Sequence, residues 1–371
     1  MPRAKNPTVL STRALNRAVL ARQMLLARAE LSPLKAIERL VGLQAQLPNP
    51  PYVGLWTRLV GFEKDHLTQL VEKRRVVRST MMRATQHLVT ARDYLKFRSV
   101  LQPMLDRLCR NTHGRKTAGI DQAELLDAGR ALLADQPRTI TELQALLAVR
   151  WPKHDKLALG YTVQSMLPLV HVPPRGTWGR GGAVPAVLVE QWLGRALSDD
   201  RSPDELIVRY LAAFGPASVA DVQEWSGLTG LRDALERLRP RLATFRDEAG
   251  RELFDLPDAP RPDSDTPAPP RFLPEYDNLI LGHADRSRML SDEQRKALWT
   301  RNGLLASALV DGTVAATWRI ERARRNVELT IEPLKRIAKA DRAALAEEAE
   351  RLLAFTDPEA ASREVRFLSG R

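Results

Sequence analysis

The sequence predicts a mainly α protein with small β-hairpins, an α+β chain of three tandem winged-helix units followed by a small α+β element. Three observations carry this expectation. Helical periodicity followed by two short β-branched runs occurs three times along the chain. A proline-rich, acidic stretch at 257–271, "PDAPRPDSDTPAPPR", then interrupts all periodicity. Beyond it, strand-like runs around a "VDGT" turn replace the helical pattern. Helices followed by a hairpin form the layout of a winged helix, a helix-turn-helix variant. The boundaries expected are 8–115, 116–198 and 199–258 for the three units, and 259–371 for linker and C-terminal element.

In the first unit, 11–28 opens with Ser/Thr caps and carries Leu15, Val19, Leu20 and Leu26 at helical spacing. A second helix is expected over 33–43, with Pro33 at its start, and a third over 63–75. The clusters at 76–80 and 87–90 in "VVRSTMMRATQHLVTARD" read as the hairpin. The second unit has helical patterns at 121–134, 139–150 and 155–167, then extended runs in "LVHVPPRGTWGRGG". The third has helices at 203–214, 218–226 and 229–239. Its hairpin is "LATFRDEAGRELFDL", with "DEAG" at the tip. In the last segment, "LLASALVDGT", "VAATWRIERARR" and "NVELTIEPL" are strand candidates, and 340–355 is an amphipathic helix. The rounds share architecture rather than residues.

Of the 371 residues, 44% are apolar and 27% charged, which excludes a disordered chain. The net charge of +12 favours a polyanionic partner, nucleic acid before membrane surface. One cysteine, Cys109, excludes an internal disulfide framework and a thiolate metal cluster. The N-terminus has no apolar signal region and no run is long enough to span a bilayer, so a cytoplasmic, reducing location is expected.

The chemistry centres on "GLQAQLPNPPY" at 42–52. Residues two apart diverge on a helix but share a side on an extended chain. Leu47 and Asn49 precede prolines, which disfavour the α region. Gln44 and Gln46 are therefore expected where the helix unwinds, with both carboxamides facing one site. Each amide supplies two donors and an acceptor, enough to hold a water or meet a base edge without charge. The plain alternative is that they cap the unwound helix end or bond to backbone.

The blocks "ERLVGLQAQLPNPPYVGLWTRL", "MMRATQHLVTARD" and "FLPEYDNLILGHADRSR" resemble the winged-helix DNA glycosylases of the AlkZ/YcaQ type, over about 11–350. The resemblance implies a C-shaped scaffold of three winged helices and a monofunctional glycosylase acting on N-alkylated purines of the N7-alkylguanine type. It implies duplex DNA as partner, a monomer, and no cofactor or metal. The family's Gln-x-Gln motif falls on Gln44 and Gln46, with Ala45 resembling the crosslink-unhooking branch. Such an enzyme serves DNA repair or self-resistance to an alkylating agent.

Around the motif, Arg83 and His87 are expected to face DNA, or else to hydrogen-bond within the wing. Asp277 and Asn278 are expected to fix a turn. Arg286 and Arg288 are candidate phosphate contacts. "RIERARR", with Arg319, Arg322, Arg324 and Arg325, is expected along a DNA groove, Arg322 and Arg324 as contacts. "EKRRVVR", with Lys73, Arg74, Arg75 and Arg78, reads as a solvated charge run. His283 and Asp285 lack a third ligand for a metal. "RGTWGRGG" has no following helix to cradle a phosphate. The competing functions are a non-catalytic winged-helix regulator, which has no use for paired carboxamides, and a metal-dependent nuclease, for which no Asp/Glu/His cluster is present.

Overall fold

The computed structural model describes residues 8–301 and 303–368. Helices and strands are mixed along the chain. In the first round, the helix Thr12–Arg22 is capped by the Ser11 hydroxyl. It stops short of the expected 28 because Met24 turns left-handed. The helix Pro33–Arg39 starts on the Ser32 cap with proline in its first turn. It ends earlier than expected because Val41 and Gly42 take φ of 57° and 99°. The chain then forms the strand Leu43–Gln44. That strand lies antiparallel beside Gln86–Thr90, which pairs in turn with Val76–Thr80.

The proline cluster behaves differently from the expectation. Asn49 has αR backbone angles, and Pro50–Trp56 is a helix. Pro50 and Pro51 sit in its first turn, where amide hydrogens have no partner to lose. The helix Lys64–Glu72 follows, and beyond the hairpin runs the longest helix, Ala91–His113, which the sequence reading does not assign.

The second round contains helices Gln122–Asp135, Ile140–Arg150 and Lys156–Met166, then paired strands Leu169–His171 and Ala186–Leu188. The third contains Asp204–Phe214, Val219–Ser226 and Arg232–Leu238, then the hairpin Ala243–Asp247 with Glu252–Asp255. Val9–Leu10 adds to this last hairpin as a parallel strand. The C-terminal part is a five-stranded sheet in the order Ser362–Phe367, Asn326–Pro333, Thr313–Ala323, Ser307–Val310, Arg271–Leu273, packed by the helix Lys339–Thr356. The "VDGT" turn is present, with Asp311 and Gly312 at φ of 46° and 76°. No described helix is long and apolar enough to cross a membrane.

The cores run across the rounds. One joins the first hairpin and the long helix to the third round. Another joins the first-round helices to the C-terminal sheet. Buried ion pairs make the same connections. Arg22 grips Asp255 with two bonds of 2.6 and 2.8 Å. Arg58 grips Asp277 with bonds of 2.8 and 2.7 Å, while also donating to the Gly54 carbonyl. Both members of each pair are sealed from water.

Two stability predictions follow from this burial. Replacing Arg58 by Met strands the Asp277 carboxylate, so denaturant unfolding should show a loss of about 3–5 kcal/mol. An unchanged midpoint would mean that the pair contributes nothing. The second concerns His87, His171 and His283, whose protonation burial depresses to a pKa of about 3, the nearby guanidinium groups adding to the effect. The unfolded histidines bind protons from about pH 6.5 downward, and the folded ones do not. Stability should therefore fall with acidification below about pH 6.5, by up to about 4 kcal/mol per pH unit for three protons. Glu275, pushed up by burial, acts in the opposite sense near its own range. Thermal melts from pH 7 to 5 check this, and His87→Gln should remove about one proton from the slope.

Candidate active site

Gln44 lies opposite His87 in the small sheet, and the Ala45 amide donates to the Gln86 carbonyl at 2.7 Å. The motif is thus a strand edge, not a helix end. Ala45 packs into the core, and Gln46 lies just beyond the last residue of the strand. Gln44 is buried and Gln46 exposed. The Gln44 side-chain carbonyl accepts from Arg83 at 2.8 Å. The Gln46 carbonyl accepts from the Gln86 amide at 3.4 Å. Each amide oxygen keeps a second lone pair.

The strand is clamped from several parts of the chain. Arg78 donates from Nε to the Ala45 carbonyl at 2.8 Å and from Nη2 to the Gln46 carbonyl at 3.2 Å. Its Nη1 meets Nδ1 of His171, in the second round, at 3.0 Å. Upstream, the Asn278 amide donates to the Gly42 carbonyl at 2.6 Å. Gly42 has to be glycine for two reasons. Its φ is left-handed, and a Cβ there would lie 2.6 Å from Val89 Cγ1.

Arg83 occupies the hairpin turn with a left-handed φ of 55°. It donates to the Trp225 carbonyl at 2.5 Å and approaches His87 Nε2 at 3.5 Å. His87 Nδ1 faces the Thr85 carbonyl at 3.0 Å. A neutral ring with its proton on Nδ1 satisfies both contacts, in keeping with the depressed basicity of His87. Burial also lowers Arg78 and Arg83 to about 10, which leaves both charged at neutral pH.

Beside Gln46 opens a cavity of about 410 Å³. Arg78, Thr80 and Gln86 line it from the first round, and Tyr161, Gln164 and His171 from the second. No carboxylate is among its lining residues. Tyr161 and Gln164 are site residues that sequence reading misses; they come from a helix with no local mark of function.

The other expected contacts divide. Arg83 and His87 join Gln44, but His87 is a correction: its ring is buried and bonded within the hairpin, so it does not face DNA. Arg286 donates to the Ile280 carbonyl at 3.0 Å and to Glu224 at 3.2 Å, and lies over the Trp299 ring. Arg288 is a correction: it is buried, donating to the Pro216 carbonyl at 3.0 Å beside His283. A guanidinium enclosed by protein does not reach a phosphate. Arg322 is held by Asp357 through bonds of 2.7 and 2.9 Å, and Arg324 is exposed at the turn after the long strand. These two line a separate cavity of about 490 Å³ with Lys64 and Asp357. Asp277 caps the helix Asn278–Leu281, the expected local role, and also pairs with Arg58. The reach of Asn278 to the motif backbone is additional.

Comparison with known proteins identifies the family. A family model described as "DNA glycosylase AlkZ-like" matches residues 37–355. An interstrand DNA cross-link repair glycosylase of Streptomyces sahachiroi is 24% identical over 321 residues, covering 81% of this chain and 85% of that protein. The solved structure of the DNA glycosylase AlkZ from the same organism superposes with a TM-score of 0.77 at 21% identity, over 97% of this chain and all of the other. This chain belongs to the AlkZ-like DNA glycosylase family and is an enzyme that hydrolyses N-glycosyl bonds.

Proposed function

We propose that the protein removes N-alkylated purines of the N7-alkylguanine type from duplex DNA, acting as a monomer, and that its substrates include interstrand crosslinks. The biological setting is DNA repair or self-resistance to an alkylating agent. The crosslink reading draws on the name of the Streptomyces relative. We assign the scaffold as three tandem winged helices in a C-shaped arrangement, over 8–115, 116–198 and 199–258, with 259–371 as linker and C-terminal element. Three successive rounds of helices with an antiparallel strand pair support that reading.

One observation carries the chemistry: at the end of a clamped strand, Gln46 lines a cavity that holds no carboxylate, and two residues before it the Gln44 carboxamide is fixed by Arg83. A purine alkylated at N7 bears a formal positive charge, so it leaves without a strong general acid. The C1′–N9 bond breaks with its electron pair going to the base, which departs neutral. The sugar left behind is oxocarbenium-like. Water adds at C1′ and yields its proton to bulk solvent, leaving an abasic site. What the protein supplies is position and field. Gln46, exposed at the cavity, is placed to hold the water. Gln44, its carbonyl oriented by Arg83, presents an electron-rich oxygen to the developing charge. Arg83 and His87 act through Gln44. Arg286 and Arg324 are proposed contacts to DNA phosphate, and Arg322 serves there once Asp357 releases it.

Gln44→Ala and Gln46→Ala should each slow single-turnover excision from a duplex carrying one N7-alkylguanine, by roughly ten- to a thousandfold. DNA affinity and melting temperature should barely move. Gln→Glu keeps the shape and adds a charge able to act as base, so it should retain more activity than Ala. If both Ala variants cleave at the wild-type rate and merely lose about 1 kcal/mol of stability, the glutamines are structural and the reading fails.

A further inference from the structure

A second cavity of about 410 Å³ lies away from the motif, and its lining is strongly cationic. Lys35, Arg74, Arg75, Arg92 and Arg195 surround it, with Glu38 as the single carboxylate. Glu38 is already shared, bonding Lys35 at 2.9 Å and Arg92 at 3.4 Å. Arg74 is fixed by donation to the Trp192 carbonyl at 2.8 Å and by stacking 3.9 Å over that indole ring. Among the described residues, the guanidinium groups of Arg75 and Arg195 have no hydrogen-bond or ion-pair partner. The floor is apolar, formed by Leu34, Leu95 and Leu193. Like charges gathered around a concave, low-dielectric floor repel one another and raise the local concentration of anions.

The position of this cavity says which anion. Arg74 and Arg75 immediately precede the strand Val76–Thr80, whose Arg78 and Thr80 line the cavity at Gln46. From Arg75 to Thr80 an extended chain covers about 16 Å, the axial length of about five base pairs. We propose that this cavity is a second DNA contact, in which Arg75 and Arg195 neutralise backbone phosphates of the duplex a few base pairs from the lesion. The inference rests on the site reading above for where the lesion sits. It makes the charge run at 73–78 a bifunctional strip: Arg75 meets flanking phosphates, and Arg78 secures the motif.

Binding to unmodified duplex tests this without reference to excision. For the double variant Arg75→Ala/Arg195→Ala, affinity for a duplex of about twenty base pairs should lose about two units of salt slope relative to wild type. Arg75→Lys/Arg195→Lys should keep the slope, because phosphate neutralisation needs charge more than fork geometry. Single-turnover excision by the double variant should need a higher enzyme concentration to half-saturate, because both arginines meet the DNA backbone. An unchanged slope on the long duplex overturns the proposal. So does a variant that loses only binding of inorganic phosphate, which would make this a free-anion site. Slope lost equally in the lysine pair would assign the effect to shape and overturn it as well. If neither enzyme excises, the slope comparison still decides this point and only the lesion reading falls.

Discussion

A helix cannot aim residues two apart at one target, and the active site depends on the break that removes this constraint. Val41 and Gly42 turn left-handed and convert a helix into a strand within two residues. Everything downstream follows from that turn. The strand can pair with the first hairpin only if Gly42 passes against Val89 without a side chain. Once paired, the strand sets Gln44 opposite His87 and commits Ala45 to the core. The turn is held from outside by Asn278, whose side-chain amide fills the Gly42 carbonyl. An unpaired buried carbonyl here would favour a different backbone.

Neutral carboxamides need more help than carboxylates to hold an orientation, because no charge locks them in place. The protein supplies it through arginines. Arg78 secures the backbone carbonyls on either side of the motif's last peptide, and Arg83 fixes the Gln44 side chain. Burial leaves His87 and His171 neutral, so each accepts from an arginine rather than competing with it as a cation. Arg83 also reaches the Trp225 carbonyl, which ties the third round to the first. Gly227 permits this approach, since a Cβ there would sit 3.2 Å from the Arg83 backbone.

Much of this order was readable locally. Helices such as Ile140–Arg150 and Val219–Ser226 declare themselves by a capping Thr or Ser and by apolar spacing. The sequence reading places Gln44 and Gln46 past a helix end by invoking the prolines, whereas the helix ends earlier, at the left-handed Val41 and Gly42. Other parts lacked a local signal or carried a misleading one. Pro50 and Pro51 read as breakers and instead open a helix. The Ala91–His113 helix shows a stripe of Tyr94, Leu101, Met104 and Leu105, but Pro103 and the hairpin ahead obscure it. Ser362–Phe367 is half solvated and charged, so nothing but its parallel partner makes it a strand. Arg288 looked like surface because Arg is usually exposed; only the tertiary fold encloses it. Tyr161 and Gln164 owe their place at the cavity to how the second round docks.

Val9–Leu10 pairs with Arg246 and Asp247, and the helix after it is bonded to Asp255, Asp311 and the carbonyl of Gly312. These side-chain partners of Thr12–Arg22 lie 233 to 298 residues further along the chain, so the segment is not fully bonded until the third round and then the C-terminal sheet have been made. Loop closure over such distances is slow, and the early rounds must persist with apolar faces uncovered in the meantime. The repeated rounds suggest a chain assembled piece by piece during synthesis. Its long-range contacts instead make completion a late event, in which the segment Val9–Arg22 acts as a clasp between the third round and the C-terminal sheet.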